Sequence, residues 1–190
     1  MKNKVLIHEM ETPVGKMLLG AFDGGLCLCD WADNPHRERN DARIMRLLGA
    51  EFLPASLDVS ANVSVIMKAE RELEEYFAGK RTSFDIPLCL VGTEFQKAVW
   101  KMLLEIPYGH VVSYMNIAER LGKAKGVRAV SQAIGANALS IFVPCHRVVG
   151  SNGSLTGYAG GIEAKRSLLE LEKWHERTQK VTKNYKCLVM

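Results

Sequence analysis

Residues 113–136 read SYMNIAERLGKAKGVRAVSQAIGA, and their punctuation decides the architecture of the second half of the chain. Tyr114, Ile117, Ala118 and Leu121 recur at helical spacing from Ser113, and Gly122 stands where a helix-ending glycine is expected. A second apolar set, Val127, Val130 and Ile134, predicts another helix from Gly126 to Ala136. The turn Gly122-Lys123-Ala124-Lys125-Gly126 joins them into a helix-turn-helix pattern, whose second helix meets DNA in proteins that use it that way. Helical hairpins also occur where no DNA is bound, so the pattern needs a chemical companion.

That companion follows directly, in Ile141-Phe142-Val143-Pro144-Cys145-His146-Arg147-Val148-Val149. Proline fixes its own φ and biases the preceding residue towards extended backbone, so Pro144 predicts the end of a strand-like run and a sharp turn at Cys145. A thiol so placed is held rigidly. The thiolate is the nucleophile, and a nearby histidine is a usual activator. The plain alternative is a buried cysteine beside a partly exposed histidine, since free cysteine is a common core residue. Beyond the turn, Asn152-Gly153 between Val148-Val149 and Leu155-Thr156 predicts a tight hairpin, which would be a wing. Upstream, Thr93-Glu94-Phe95-Gln96 has capping-box spacing, and Phe95, Val99, Met102 and Ile106 form the expected buried stripe of a helix ended by Pro107-Tyr108-Gly109.

The first half reads as strands followed by helices. Lys4 to Met10, Lys16 to Phe22 and Leu26 to Trp31 are β-type runs separated by Thr12-Pro13-Val14-Gly15 and Asp23-Gly24-Gly25, which predicts an antiparallel meander. Helices are expected over Arg39 to Leu48 and Ser60 to Phe77. In the second of these, Val63, Ile66, Met67, Leu73 and Phe77 form the inward face and Lys68, Arg71, Glu72 and Glu75 point away, with Glu70 out of place. Ala78 to Ser83 breaks the pattern and Phe84 to Leu90 is an extended connector. The fold class expected is an α/β N-terminal domain over residues 1–82, a mainly α, winged-helix-like C-terminal domain with a helix-turn-helix over 83–173, and a polar tail over 174–190.

Composition narrows the field. A chain of 190 residues with 47% hydrophobic and 24% charged residues excludes disordered and fibrous classes. The formal charge of +4 and pI near 8.8 suit a nucleic-acid partner without arguing for one. Cys27, Cys29, Cys89, Cys145 and Cys187 form an odd set behind a start with no secretory signal, so a reducing, intracellular setting is expected. No apolar run approaches the roughly 20 residues of a membrane helix. His8, Cys27, Cys29 and His36 suit zinc by type, but no close C-x-x-C pair exists and no metal is expected. The ending Cys187-Leu188-Val189-Met190 satisfies the prenylation pattern by chance agreement.

From Thr93 to Glu172 the chain resembles the O6-alkylguanine-DNA alkyltransferase family. The resemblance rests on Ser113-Tyr114, Arg128-Ala129-Val130, Asn137, the Pro144-to-Val149 motif, Tyr158, Gly160-Gly161 and Lys165, in the family's order and approximate spacing. It implies direct, single-turnover transfer of an alkyl group from guanine O6, and from thymine O4, to Cys145, with double-stranded DNA as partner and no cofactor. It implies a monomer, in the bacterial cytoplasm or a eukaryotic nucleus. By the same resemblance His146 takes the thiol proton through a water and Glu172 orients the imidazole. Asn137 tethers the second hairpin helix to the cysteine turn, although a simple helix cap uses the same chemistry. Arg128 replaces the flipped base and Tyr114 crowds the adjacent phosphate and donates to the guanine ring. The Val148 carbonyl accepts from the guanine amino group, Tyr158 walls the pocket, and the Ala159 N–H donates to O6.

The residues lend some of this independent weight. Glu172 lies three and four residues after Leu169 and Leu168, on their helical face, and a carboxylate buried there needs a partner. The chain also departs from the pattern: Ala138 stands where many relatives have proline, Gly157 where some have asparagine, and Ala159 where some have serine. Two other classes stay open. One is a lesion-binding sensor or transcriptional regulator that transfers nothing; the other is a cysteine hydrolase using Cys145 and His146.

Overall fold

A computed structural model of the chain describes residues 3–55 and 61–173. Strands β1 (Asn3–Thr12), β2 (Gly15–Phe22) and β3 (Gly25–Trp31) form the expected antiparallel meander. Its second turn is closed by Asp23 and Gly24, both at positive φ (48° and 74°), the geometry a tight hairpin demands. Helix α1 (Arg37–Leu48) follows, and Gly49, at φ 57°, turns the chain straight into β4 (Ala50–Pro54). This fourth strand, absent from the sequence reading, pairs parallel with β1 and makes the sheet mixed, in the order β3-β2-β1-β4. The end of β3 is fastened to α1 by the fully buried Asp30, whose carboxylate accepts from Asn34 Nδ2 (2.8 and 2.9 Å), Asn40 Nδ2 (3.0 Å) and the Trp31 N–H (2.9 Å).

Helix α2 (Ala61–Phe77) buries Ile66 and Leu73 as expected, but its inward face is rotated from the rest of the expected set. Val65, Ile66, Ala69, Leu73 and Tyr76 are buried, whereas Met67 is 65% exposed. The deciding residue is Glu72, assigned to the solvent side by its charge yet buried. It is tolerated there because it accepts the Asp85 N–H at 3.0 Å and lies 3.8 Å from both Lys68 Nζ and Arg81 Nη1.

The chain groups into two compact units, residues Met1–Thr93 with Ala138–Phe142, and Glu94–Asn137 with Val143–Met190. The connector after α2 groups with the first unit. Leu26 and Leu88 form a parallel bridge through Leu26 N–H to Pro87 O and Cys89 N–H to Leu26 O, both 2.8 Å. Further along β3, Cys29 bridges Leu139 through Cys29 N–H to Ala138 O (2.8 Å) and Ser140 N–H to Cys29 O (2.7 Å). The first unit's core gathers Val5, Cys27, Leu28, Ile44, Ala50, Val91 and Ala138. Ile141 sits at φ 73°, costly for a β-branched residue, so the run before Pro144 turns instead of approaching as a strand.

The second unit holds α3 (Glu94–Leu104), β5 (Val112–Ser113), α4 (Tyr114–Arg120), α5 (Val127–Gly135), β6 (Val148–Val149) and α6 (Gly161–Leu171). Ser113 caps α4 reciprocally with Asn116: its Oγ accepts the Asn116 N–H (3.0 Å) and its own N–H donates to Asn116 Oδ1 (3.1 Å). In α3 the buried residues are Val99, Trp100 and Leu103, while Phe95 is exposed, because Trp100 Nε1 donates to the Ala133 carbonyl at 2.8 Å and draws that face inward. In α5, Val130, Ala133 and Ile134 are buried and Val127 only partly so. The expected hairpin wing does not form. Val148–Val149 pairs parallel with Val112–Ser113, and Asn152-Gly153 lies in a turn closed by Gly150 N–H to Ser154 O at 2.9 Å. Among the described residues no helix is long and apolar enough to cross a membrane. The polar tail and Cys187 lie outside the described residues.

The placement of Glu72 generates a test. Glu72→Ala takes the acceptor from the Asp85 N–H and removes the counter-charge of Lys68 and Arg81, which costs about 2 kcal/mol. Urea unfolding of the full chain should show a lower midpoint at unchanged slope; a midpoint equal to that of the parent would show that this carboxylate stabilises nothing.

Candidate active site

Pro144 (φ −79°, ψ 64°) leads into a single tight turn, Cys145–Arg147, and all three side chains of the turn are buried. The turn is fixed from behind by Asn137, two residues past the end of α5. Its Nδ2 donates to the Val143 carbonyl at 2.9 Å and to Cys145 Sγ at 3.2 Å, so one amide group aligns the turn and solvates the sulfur. A hydrogen bond to the charged form of a thiol favours that form.

His146 is fully buried, and its Nε2 lies 2.9 Å from Glu172 Oε1. Glu172 caps the end of α6 and is itself 2% exposed. It is held by more than the histidine: Arg147 Nη2 donates to Oε1 (2.8 Å), Arg147 Nε to Oε2 (2.9 Å) and the Gly109 N–H to Oε2 (3.0 Å). Burial alone would push the Glu172 carboxyl up, but the charges and hydrogen bonds of His146 and Arg147 override it and hold the group well below the usual carboxylate range. Burial also pushes the His146 imidazole down; Glu172 pulls it back up, and Arg147 and Lys165 push it down further. An ionised carboxylate can only accept, so Nε2 of a neutral His146 carries the hydrogen and Nδ1 carries the lone pair. Among the described residues Nδ1 has no hydrogen-bond partner.

Lys165 lies inside the same cluster. Its ammonium donates to the Val148 carbonyl at 2.6 Å and to the Thr156 carbonyl at 2.8 Å, and burial pushes its pKa from 10.5 down to about 8, against the opposing pull of Cys145. The Thr156 carbonyl also accepts from the Tyr114 hydroxyl at 3.2 Å. Burial raises the Tyr114 phenol, its bond to Thr156 opposes this, and Cys145 adds a further rise, so phenol and thiol lie within electrostatic reach of each other. Tyr114 borders an open cleft of about 590 Å³ that is also lined by Val127, Arg128, Ser131 and Gly157, with Arg128 exposed on α5. The Tyr158 ring meets His146 edge-on at 6.4 Å, and Ala159 is half-buried beside it.

Asn137 with Cys145 and His146 with Glu172 thus form two hydrogen-bonded pairs that meet at the cysteine turn, with Val148 and Tyr158 nearby, while Tyr114 and Arg128 line the cleft. Sequence reasoning gave no role in the site to Gly109, nor to Arg147 and Lys165, although the last two are among the residues that carry the resemblance. Gly109 had been read only as a helix stop. It sits at φ 73°, and a Cβ there would lie 2.8 Å from the Glu172 carbonyl oxygen, so only glycine lets this turn close on the carboxylate. Among the described residues no group of three or more metal-ligating side chains could hold an ion.

A buried thiol beside an imidazole–carboxylate pair, behind a helix pair with an arginine-bearing cleft, defines a thiol-centred site on a helix-turn-helix unit. Both parts of the chain match family models. Residues 5–90 match the ribonuclease-like domain of 6-O-methylguanine DNA methyltransferase, and residues 94–174 match its DNA-binding domain. The chain belongs to the 6-O-methylguanine DNA methyltransferase family. It is 42% identical over 164 residues (86% of this chain, 94% of the relative) to a methylated-DNA–protein-cysteine methyltransferase of Methanosarcina barkeri. It is 57% identical over 102 residues (54% and 57%) to the inducible methylated-DNA–protein-cysteine methyltransferase of Bacillus subtilis. Among solved structures it resembles the Mycobacterium tuberculosis enzyme in complex with DNA, at TM-score 0.72 and 38% identity over 90% of this chain and 92% of that one.

Lys165 yields a prediction with a defined sign. A lysine whose folded pKa lies near 8 instead of 10.5 releases its proton earlier in the folded protein than in the unfolded one. The unfolded chain therefore binds more protons across that window, and stability rises with pH through it by up to about 3 kcal/mol. Unfolding free energies of the parent and of Lys165→Met, measured from pH 7 to pH 11, should diverge by that rise. Parallel curves would show that Lys165 titrates at its ordinary value.

Proposed function

We propose that the chain repairs double-stranded DNA by moving the alkyl group of O6-alkylguanine, and of O4-alkylthymine, onto Cys145 in a single turnover. The observation that carries this reading is the pair of hydrogen bonds, Asn137 to Cys145 and His146 to Glu172, that meet at adjacent residues of one turn. Nδ1 of His146 is the free base of that arrangement. A water between sulfur and imidazole passes the thiol proton to Nδ1, and the thiolate attacks the alkyl carbon. The S–C bond forms as the C–O bond breaks, the electron pair stays on the guanine oxygen, and the proton gained by the imidazole balances the charge left on the base. Nothing is oxidised or reduced, so no cofactor is required. The product is a thioether, which has no activated group beside it to remove the alkyl.

A base inside a duplex is out of reach of a cysteine buried behind a turn, so the nucleotide has to be extruded. Exposed Arg128, on the cleft side of α5, fills the gap in the stack, and Tyr114 crowds the neighbouring phosphate and donates to the guanine ring. The Val148 carbonyl and the Ala159 N–H read the guanine amino group and O6, with Tyr158 as the wall. Val148 already accepts from Lys165, and a carbonyl has a second lone pair for the base. The protein acts as a monomer, in the cytoplasm of a bacterial cell or the nucleus of a eukaryotic one. A lesion sensor is the less favoured reading, because it has no use for a hydrogen-bonded thiol.

Incubation with methylated duplex DNA followed by peptide mass analysis should place one alkyl group per molecule on the Cys145 peptide, with no further product on excess DNA. Sustained turnover, binding without an adduct, or an adduct on Cys89 would each sink the reading.

Extrusion and phosphate contact are separated by Arg128→Ala. Opening a duplex costs about a few kcal/mol of unstacking and unpairing, which an inserted guanidinium offsets, whereas a single strand carries little such cost. Single-turnover rates at saturation should fall further on a paired lesion than on a single-stranded one. Equal losses, with an altered salt dependence, would mark Arg128 as a phosphate ligand.

A further inference from the structure

We infer that Arg147 is a positioning residue for this transfer: it neutralises Glu172 and flanks His146, keeps the imidazole–carboxylate pair from holding an extra proton near neutral pH, and so sets the acid limit of thiol activation. The inference rests on the proton relay proposed above and deepens it. A histidine bonded to a buried carboxylate would ordinarily become an imidazolium, because the isolated carboxylate favours the charged ring. An imidazolium that already holds a proton from solvent cannot take one from the thiol.

The surroundings of His146 decide which state prevails. Glu172 faces it from the end of α6 and favours the charged ring. Arg147, the next residue of the same turn, spends two of its guanidinium nitrogens on the two oxygens of that carboxylate. A third donates to the Ile106 carbonyl at 2.6 Å, and the Tyr108 ring stands 5.8 Å from the guanidinium carbon. Lys165 adds a second positive charge from within α6. Cys145 adjoins in the turn, and the Tyr158 ring closes the last side. With Arg147 in place, Glu172 is matched before the imidazole takes any proton, and two cations oppose protonation of the ring. Without it, the buried pair is left with an unmatched negative charge and takes up a proton on one partner or the other. The fork geometry that achieves this is rigid, and the residue is 7% exposed, so its charge is unscreened by water.

The test reads the rate of Cys145 modification against pH from 5 to 9, both by chloroacetamide and by methylated duplex DNA in single turnover, with the adduct located by peptide mass. In Arg147→Met the acid limb should move up by about one unit or more, so that reaction at pH 6 falls at least about tenfold below the parent when each is scaled to its own rate at pH 9. Arg147→Lys keeps the charge without the fork, and its limb should stay with the parent even where its rate is lower. A residue that only held the turn together would slow every pH alike. Superimposable scaled profiles for the parent and Arg147→Met, or equal shifts in the methionine and lysine variants, would overturn the inference. Should Arg147→Met fail to fold, the charge-balanced pair decides: Arg147→Met with Glu172→Gln should have its acid limb about one unit above Glu172→Gln alone, and coincident limbs would overturn it. A shifted chloroacetamide profile with no alkyl taken from DNA would defeat the proposed function and leave this inference standing.

Discussion

One buried carboxylate organises the second unit. Glu172 cannot exist as an ion in the interior unless every lone pair is answered, and the answers come from two separate stretches of chain. Arg147 and His146 reach it from the cysteine turn, the Gly109 N–H from the loop after α3, and its own position is set by the end of α6. Tyr108 fastens the same corner by donating to the Leu171 carbonyl at 3.0 Å. Removing the acid would therefore loosen a structural corner and the proposed proton relay together. The same fact explains how a reactive thiol is held still without a strand on each side of it: it hangs between Asn137 and a network anchored on an ion.

Charge balance in this cluster separates roles that sequence adjacency blurs. His146 and Arg147 are neighbours in one turn and both touch Glu172 Oε1, yet one presents a single ring nitrogen and the other a guanidinium fork. Lys165 is the third cation-forming side chain, spent on two carbonyls where the other two serve the acid. Because Thr156 O accepts from both Lys165 and Tyr114, the floor of the thiol cluster and the wall of the cleft share one backbone atom.

What could be read from the sequence follows the range of the interactions involved. The meander was legible because its turns are local, with Asp23-Gly24 supplying the required left-handed pair. β4 was not, since five residues with one apolar pair carry no alternation of their own and become a strand only by pairing with β1. The inward face of α2 was misjudged at Glu72, where charge suggested solvent and a distant N–H from Asp85 decided otherwise. In the site, the pairing of His146 with Glu172 was implied by the family resemblance and supported by a helical face and the cost of an unpartnered acid. Gly109 and Arg147 escaped because their importance lies in bonds spanning 63 and 25 positions, which no local pattern announces.

The segment Ala138–Phe142, bonded to Cys29 at the outer edge of β3, gives the chain an order of assembly. A ribosome delivers the sheet first, with the backbone N–H and C=O of Cys29 still unpaired, and the residues that satisfy them emerge only after α3, α4 and α5. The earlier half is thus finished by the later one, and no single cut in the polypeptide yields two complete pieces. A fragment ending at Thr93 would expose an open edge, and a fragment starting at Glu94 would carry Ile141 in a left-handed conformation with nothing of its own unit to hold it there.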